Sequence, residues 1–343
     1  MDEAQADMRP TTFRVLEIAN QFWNSQFLVI ATRLGAADVL ESGPQTPEAI
    51  AAQLGAHPAM LKRLLRALAP LGVFSADDQG RYGQTPMSDI LRAGHPQSLR
   101  AAVLFEVDEW TWKYADALEY GIRTGGNPFE HVFGRPYFDY QKDFPEREKL
   151  FADAMTGISA PIVEAIAGAY PFNDFDTVVD VGGSNGHLLA TILRHHPRPK
   201  GVLFDLPGVA QLARKTGYLD APGVAGRAAI VEGSALEAVV AGHDCYLIKN
   251  VIHDWDDDHS VLMLGNIRKA MADGGKLLVA EALIKPDNTP DHWKQMDLAI
   301  FAGGGGQQRT EEEFRALLAR AGFRLESKTP TAAGIWLLEA VKA

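Results

Sequence analysis

At 343 residues the chain exceeds what one hydrophobic core usually organises, and its 46% hydrophobic and 22% charged residues are the balance of an ordinary globular protein of two or more domains. A formal net charge of −11 argues against nucleic acid or an anionic membrane as the main partner, because phosphate binding rests on clustered Lys and Arg. The single cysteine, Cys245, excludes a disulfide framework, and its place in Cys245-Tyr246-Leu247-Ile248 reads as a buried core thiol rather than a nucleophile.

The first seven residues, Met1-Asp2-Glu3-Ala4-Gln5-Ala6-Asp7, are acidic. No uninterrupted apolar run approaches the roughly 18 residues of a spanning helix, so neither signal peptide nor membrane anchor is expected, and the predicted location is cytoplasmic. From Phe13 to about Leu99 the pattern is helical with short breaks, including an apolar helix over 22–34. Thr46 suits an N-cap, with Pro47 at the first helical position and Gly55 as the break that follows. A second short helix over 57–68 precedes a hairpin built from Gly72-Val73-Phe74-Ser75 and residues 80–85. Two short helices and a hairpin read as a winged helix-turn-helix. Lys62, Arg63 and Arg66 on the second helix would serve a ligand-sensing DNA-binding protein. The acidic total favours a packing and dimerisation module, with the apolar helix around Trp23 as its interface.

Residues 99–170 are predicted helical and are rich in aromatics such as Phe105, Trp110, Phe129, Tyr140 and Phe151, a composition that serves either an ordinary core or an aromatic substrate pocket. Beyond residue 171 short aliphatic runs alternate with helices. Strands are predicted over 177–181, 201–206, 228–232, 244–251 and 276–284, and helices over 186–195, about 256–271, and 310–321. That alternation requires an α/β domain with a mostly parallel, doubly covered sheet. Two terminal runs, 323–327 and 334–341, add an antiparallel hairpin, and Gly303-Gly304-Gly305-Gly306 reads as a mobile loop. The resulting divisions are 1–98, 99–170 and 171–343.

Two strand ends carry chemistry. Asp180-Val181-Gly182-Gly183-Ser184-Asn185-Gly186 lets the backbone approach a ligand closely, although Val181 replaces the first glycine of the dinucleotide fingerprint, which argues against a pyrophosphate cradle. Asp205, in Phe204-Asp205-Leu206-Pro207, can accept hydrogen bonds from a ribose diol. After the strand at 244–251, His253 stands among Asp254, Asp256, Asp257 and Asp258, a cluster open to three readings: general base, helix cap or metal site.

Taken in order, these segments with Lys249-Asn250-Val251-Ile252-His253-Asp254-Trp255, Gly274-Gly275-Lys276 through Glu281, and Arg309-Thr310-Glu311-Glu312-Glu313-Phe314 resemble the S-adenosylmethionine-dependent small-molecule O-methyltransferases of the plant caffeate and bacterial natural-product type. The resemblance covers almost the whole chain. It implies a class I methyltransferase Rossmann-like fold, an N-terminal winged-helix dimerisation domain, a homodimer, S-adenosylmethionine as cofactor, no metal, and an aromatic hydroxyl of a secondary metabolite as acceptor.

By position, it puts Gly182 under the methionine part of the cofactor and Asp205 at its ribose, with Asp180, Gly183, Gly186 and Leu206 as further cofactor positions. Ser234 and Ala235 fall at the adenine side, where the family has a carboxylate and a bulky neighbour, and Ser159, Lys249 and Trp255 match further cofactor positions. His253 matches the family's base and Glu281 one supporting carboxylate, with Asp254 as a further candidate; Gln308 stands where a second carboxylate belongs. Phe151, Met155, Asp297, Ala299 and Ile300 match the acceptor pocket. A phenol of pKa about 10 facing an ordinary imidazole near 6.5 leaves a gap of about 3.5 units, or roughly 4.8 kcal/mol, that such a site must help to close. The same fold also hosts N-methylation, hydroxylation and decarboxylation.

Overall fold

A computed structural model describes residues 10–343; the acidic start of the chain lies outside them. The chain forms two compact units. One takes the residues up to Trp112 together with Gln141–Ile158, the other Lys113–Tyr140 and Ser159–Ala343. The helical middle of the sequence is thus shared between them, and the long helix Pro145–Ala169 contributes to both.

In the first unit, helix Thr11–Leu34 extends well beyond the apolar stretch that predicts it and stops at Gly35, whose left-handed φ of 80° turns its N–H back onto the last carbonyls. Among the described residues its side chains Phe13, Ile18 and Trp23 are 50–70% exposed, an apolar surface. Helix Pro47–Leu54 begins as predicted, the Thr46 hydroxyl accepting the Ala49 N–H at 3.3 Å. Helix Pro58–Leu68 follows, then the antiparallel pair β1 (Ser75–Ala76) and β2 (Tyr82–Gly83). Leu40, Ile50, Leu61, Leu65, Leu68 and Phe74 close a core beneath them, so the helix-turn-helix and its hairpin are present.

The second unit holds seven strands: β3 (Thr177–Val181), β4 (Lys200–Asp205), β5 (Ala228–Glu232), β6 (Cys245–Lys249), β7 (Lys276–Glu281), β8 (Phe323–Pro330) and β9 (Trp336–Lys342). Their spatial order is β5-β4-β3-β6-β7-β9-β8, parallel through β7, with β9 antiparallel to both neighbours. Val178, Val179 and Val181 are buried on both faces, which is what a sheet covered by helices demands. One face packs on Ile166, Leu188, Leu189 and Ile192, the other on Leu264, Ile267, Phe314 and Leu317; Cys245 is fully buried in the first. From β3 the chain builds outward to β4 and β5, then returns to β6 on the other side. The crevice beyond the carboxyl ends of β3 and β6 is therefore a topological switch point, where open α/β sheets place ligands.

Three features depart from the sequence reading. A helix, His292–Gly304, occupies a segment where none was predicted, capped by Asp291 through the Trp293 N–H at 3.1 Å. The glycine run is not a mobile loop: Gly303 and Gly304 finish that helix, Gly305 caps it at φ 83°, and Gly306 is buried so tightly that a Cβ there would run into the His253 carbonyl. Helix Pro145–Ala169 is long and apolar enough, by length and composition, to cross a membrane. Ile162, Val163, Ile166 and Ala167 in its second half belong to the sheet core, the setting that also produces such helices in globular folds.

Candidate active site

Beyond β3 the backbone winds tightly. Gly182 at φ 72° gives its N–H to the Phe204 carbonyl at 2.8 Å, and a Cβ on it would approach a Val251 methyl to 2.7 Å. A Cβ on Gly183 would meet the Asp180 carboxylate at 2.8 Å, and Gly186, at φ 84°, starts helix His187–His195. Only residues without side chains fit this close approach. Ser184, itself left-handed at φ 53°, donates its N–H to Asp205 Oδ2 at 2.8 Å, while Leu206 donates to Oδ1 at 2.7 Å. Burial raises the Asp205 pKa and these two N–H groups pull it down. The carboxylate is thereby held in place at the end of β4, with a lone pair on each oxygen still available for a diol.

Asp180 lies beneath the turn, 1% exposed, with Oδ2 lacking any hydrogen-bond partner; burial pushes its pKa to about 7 against the opposing pull of Lys249. Lys249, at the end of β6, donates to Ser159 Oγ at 3.4 Å. Burial lowers the pKa of its amine although Asp180, Glu281 and Asp254 all favour the charged form. Asn250 follows in the left-handed region at φ 51°, its side-chain oxygen buried without a partner. These unsatisfied acceptors, the glycine turn and the anchored Asp205 fit a cationic, ribose-bearing cofactor. Ser234 and Ala235 lie just past β5, where the Ser234 carbonyl accepts the Glu237 and Ala238 N–H groups and the Ala235 carbonyl accepts Asn266 Nδ2 at 3.1 Å. Leu206 is 52% exposed, and Trp255 is half-buried beside the His259 ring at 5.3 Å.

From β6 the chain passes through a short turn, Ile252–Asp254, into helix Asp257–Ala270, which Asp256 caps by accepting the His259 N–H at 2.9 Å. Glu281, at the end of the neighbouring β7, is fully buried and meets His253 twice. Its Oε2 lies 2.8 Å from Nδ1 and its Oε1 accepts the His253 main-chain N–H at 3.3 Å. A carboxylate on Nδ1 assigns the proton to that nitrogen and leaves Nε2 as the working atom, 3.6 Å from Asp254 Oδ1. Burial works against the imidazolium, but the charge and hydrogen bond of Glu281, helped by Asp254, outweigh it and raise the His253 pKa to about 9. The Asp254 side chain is 42% exposed, and desolvation by the surrounding protein lifts its pKa to about 6 against the pull of His253.

Gln308 is buried. Its main-chain N–H donates to Asp297 Oδ1 at 2.7 Å, its Nε2 stands 3.5 Å from His253 Nδ1, and its Oε1 has no partner. Glu281 engages Nδ1, and the amide, being neutral, adds no charge balance to the ring. The acidic run is otherwise occupied: Asp257 holds Arg309 and Arg320, and Asp258 holds Arg320. Among the described residues no group of three His, Cys, Asp or Glu side chains could hold a metal ion.

Sequence reasoning gave Arg309 no role of its own. Its guanidinium, 2% exposed, donates to the Ile252 carbonyl at 3.1 Å, the Trp255 carbonyl at 3.0 Å and Asp257 Oδ1 at 2.9 Å, so it grips the backbone on both sides of His253. Gln307 completes the clamp with an N–H to the His253 carbonyl at 2.8 Å. The residues that the resemblance matches to an acceptor pocket fall in two places. Phe151 and Met155 share helix Pro145–Ala169 within the first unit, Phe151 meeting Phe105 edge to face at 5.4 Å. Asp297, Ala299 and Ile300 share helix His292–Gly304 in the second.

A mostly parallel sheet whose strand ends present a glycine turn, an anchored acid and a carboxylate-backed histidine is the architecture of a nucleoside-cofactor enzyme. The O-methyltransferase domain family matches residues 112–324, and the O-methyltransferase dimerisation domain matches residues 16–94. The chain belongs to this O-methyltransferase family and is an S-adenosylmethionine-dependent methyltransferase. It is 38% identical to a phenazine O-methyltransferase of Lysobacter antibioticus over 96% of both chains. It is also 33% identical to a phenazine-1-carboxylate N-methyltransferase of Pseudomonas aeruginosa, covering 91% of this chain and 92% of that one. Among solved structures, CalO1, a methyltransferase of calicheamicin biosynthesis in its S-adenosylhomocysteine-bound form, superposes with a TM-score of 0.90 at 33% identity, over 100% of both chains. The helix-turn-helix segment thus falls in a dimerisation domain.

Proposed function

We propose that this protein, working as a homodimer, methylates a phenolic or enolic hydroxyl of a small aromatic secondary metabolite, with His253 as general base. The observation that carries the reading is the His253 ring, fixed at Nδ1 by the buried Glu281 at 2.8 Å with Nε2 left available. When bound, S-adenosylmethionine would supply an electrophilic methyl group to the acceptor oxygen. His253 Nε2 takes the hydroxyl proton, and Glu281 stabilises the imidazolium. The raised pKa of about 9 brings the base to within about one unit of a phenol near 10, closing most of the gap of an ordinary histidine. Gly182, Gly183, Gly186, Asp180, Asp205, Leu206, Ser234, Ala235, Lys249, Ser159 and Trp255 would hold the cofactor. Phe151, Met155, Asp297, Ala299 and Ile300 would wall the acceptor.

Replacing His253 by Ala is the direct test. Turnover is expected to fall at least about 100-fold, the usual contribution of general base catalysis, with cofactor affinity nearly unchanged. Unchanged turnover removes the base assignment. The N-methyltransferase relative supports a second reading, transfer to an aromatic nitrogen. A nitrogen without a proton to lose needs no base, so that reaction would survive His253→Ala.

A further inference from the structure

The turn that carries His253 is short, and its anchors trace back to one carboxylate. Ile252–Asp254 is a single turn between β6 and helix Asp257–Ala270. Arg309 Nη1 donates to the Ile252 carbonyl, Nη2 donates to the Trp255 carbonyl, and the Gln307 N–H holds the carbonyl of His253 itself. Arg309 and Gln307 have a further partner in common. Asp257 Oδ1 accepts Arg309 Nη2 at 2.9 Å, Arg309 Nε at 3.1 Å and Gln307 Nε2 at 2.9 Å. All of these residues lie in the unit built on the seven-stranded sheet.

The convergence has a reason in charge. The Arg309 side chain is 2% exposed, and among the described residues Asp257 is the acid that pairs with it. A buried guanidinium needs a counter-charge, and its flat fork aims its N–H groups only where a partner fixes the plane. Held at Asp257 through Nε and Nη2, the fork sends Nη1 and Nη2 to carbonyls on either side of His253. Asp257 is itself braced, its Oδ2 accepting Arg320 Nη1 at 3.2 Å from helix Glu311–Arg320. The next residue, Asp258, offers a contrast: it also pairs with Arg320, but its side chain is 91% exposed.

We infer that Asp257 is a positioning residue for the base: through Arg309 and Gln307 it holds the His253 turn against Glu281, so that the imidazole keeps its contact with that carboxylate. A half-exposed carboxylate at the start of a helix thereby governs a buried contact between two strand ends. The inference rests on the reading of His253 as general base.

The test is a nitrogen-15 NMR titration of the imidazoles in the full chain, with the His253 signal assigned by its loss in His253→Ala. In the native chain that signal is expected to titrate near 9. Asp257→Ala releases the fork, and the His253 ionisation should move acidward by about one unit or more as burial prevails over a loosened Glu281. Asp257→Asn, whose amide oxygen still accepts from Arg309 and Gln307, should move it less. Asp258→Asn, which removes the same charge one residue further on, should leave it in place. Calorimetric affinity for S-adenosylhomocysteine should stay within about twofold of native in all three.

An unmoved ionisation in Asp257→Ala overturns the inference, and so does an equal shift in Asp257→Asn or Asp258→Asn, the mark of bare charge. A shift that comes with loss of S-adenosylhomocysteine binding overturns it as well, because the fold rather than the turn has then given way. So does a native ionisation at or below the ordinary value of about 6.5, which leaves no contact with Glu281 to protect. If Asp257→Ala does not fold, Asp257→Asn is read against Asp258→Asn: a shift in the first alone supports the inference, and equal titration in the two overturns it. Failure of the base reading shows separately, as a His253→Ala chain that keeps full turnover on a hydroxylated acceptor.

Discussion

Replacing Glu281 by Gln keeps the shape beside His253 Nδ1 and removes the charge. In the native site that charge and hydrogen bond, aided by Asp254, carry the imidazole from 6.5 to about 9 against the effect of burial. The shift of about 2.5 units corresponds to roughly 3 kcal/mol in favour of the protonated ring. A base must be unprotonated to act, so kcat/KM of the native enzyme should rise with pH through an ionisation near 9, with about 3% of the free enzyme competent at pH 7.5. In the Glu281→Gln variant burial prevails, and that limb should move acidward by about two units. Its plateau should be lower, because the imidazolium formed during transfer loses its counter-charge. Stability should follow the same ionisation. A folded pKa above the unfolded value adds stability that is fully present below about pH 6.5 and lost as pH rises through about 9. The melting temperatures of native and variant proteins should therefore differ most in mild acid and converge above pH 9. A pH-rate limb that stays near 9 in the variant refutes this account of the base.

Gln308→Glu places a second carboxylate near Nδ1 and should push the limb further alkaline; an unmoved limb means that position 308 does not sense the ring. Arg309→Ala releases the carbonyls of Ile252 and Trp255 and should destabilise the fold by about 2–4 kcal/mol, read as a lower melting temperature, while turnover falls more than cofactor affinity. Undiminished turnover would show that the clamp does not position His253. Asp205→Ala should weaken S-adenosylmethionine binding about 30-fold by calorimetry, with kcat at saturation little changed, and an unaltered Kd would remove the ribose assignment.

The strands were legible because β3 to β7 are short aliphatic runs buried on both faces and bounded by turn residues, a pattern with few alternatives. Thr46 and Asp256 were legible as caps because each is a short oxygen-bearing side chain at a helix start. Helix His292–Gly304 was not, since Lys294, Gln295 and Asp297 interrupt its apolar face and the glycines that end it resemble a flexible loop. Nor was Arg309, whose partners are main-chain carbonyls more than fifty residues earlier, identifiable only once the chain is folded. The same holds for the basicity of His253. Its direction is set by the contact with Glu281 across two strand ends, although the roles proposed for both residues come from resemblance.

The connector 305–309 joins two jobs. Through Gly306, Gln307 and Arg309 it holds the backbone around His253, and through the Gln308 N–H it holds Asp297 on helix His292–Gly304. Ala299, one of the proposed wall positions on that helix, is exposed and has no part in the clamp. Substitution at Ala299 would therefore recut the proposed wall for a different acceptor without touching the hydrogen bonds that hold the backbone around His253.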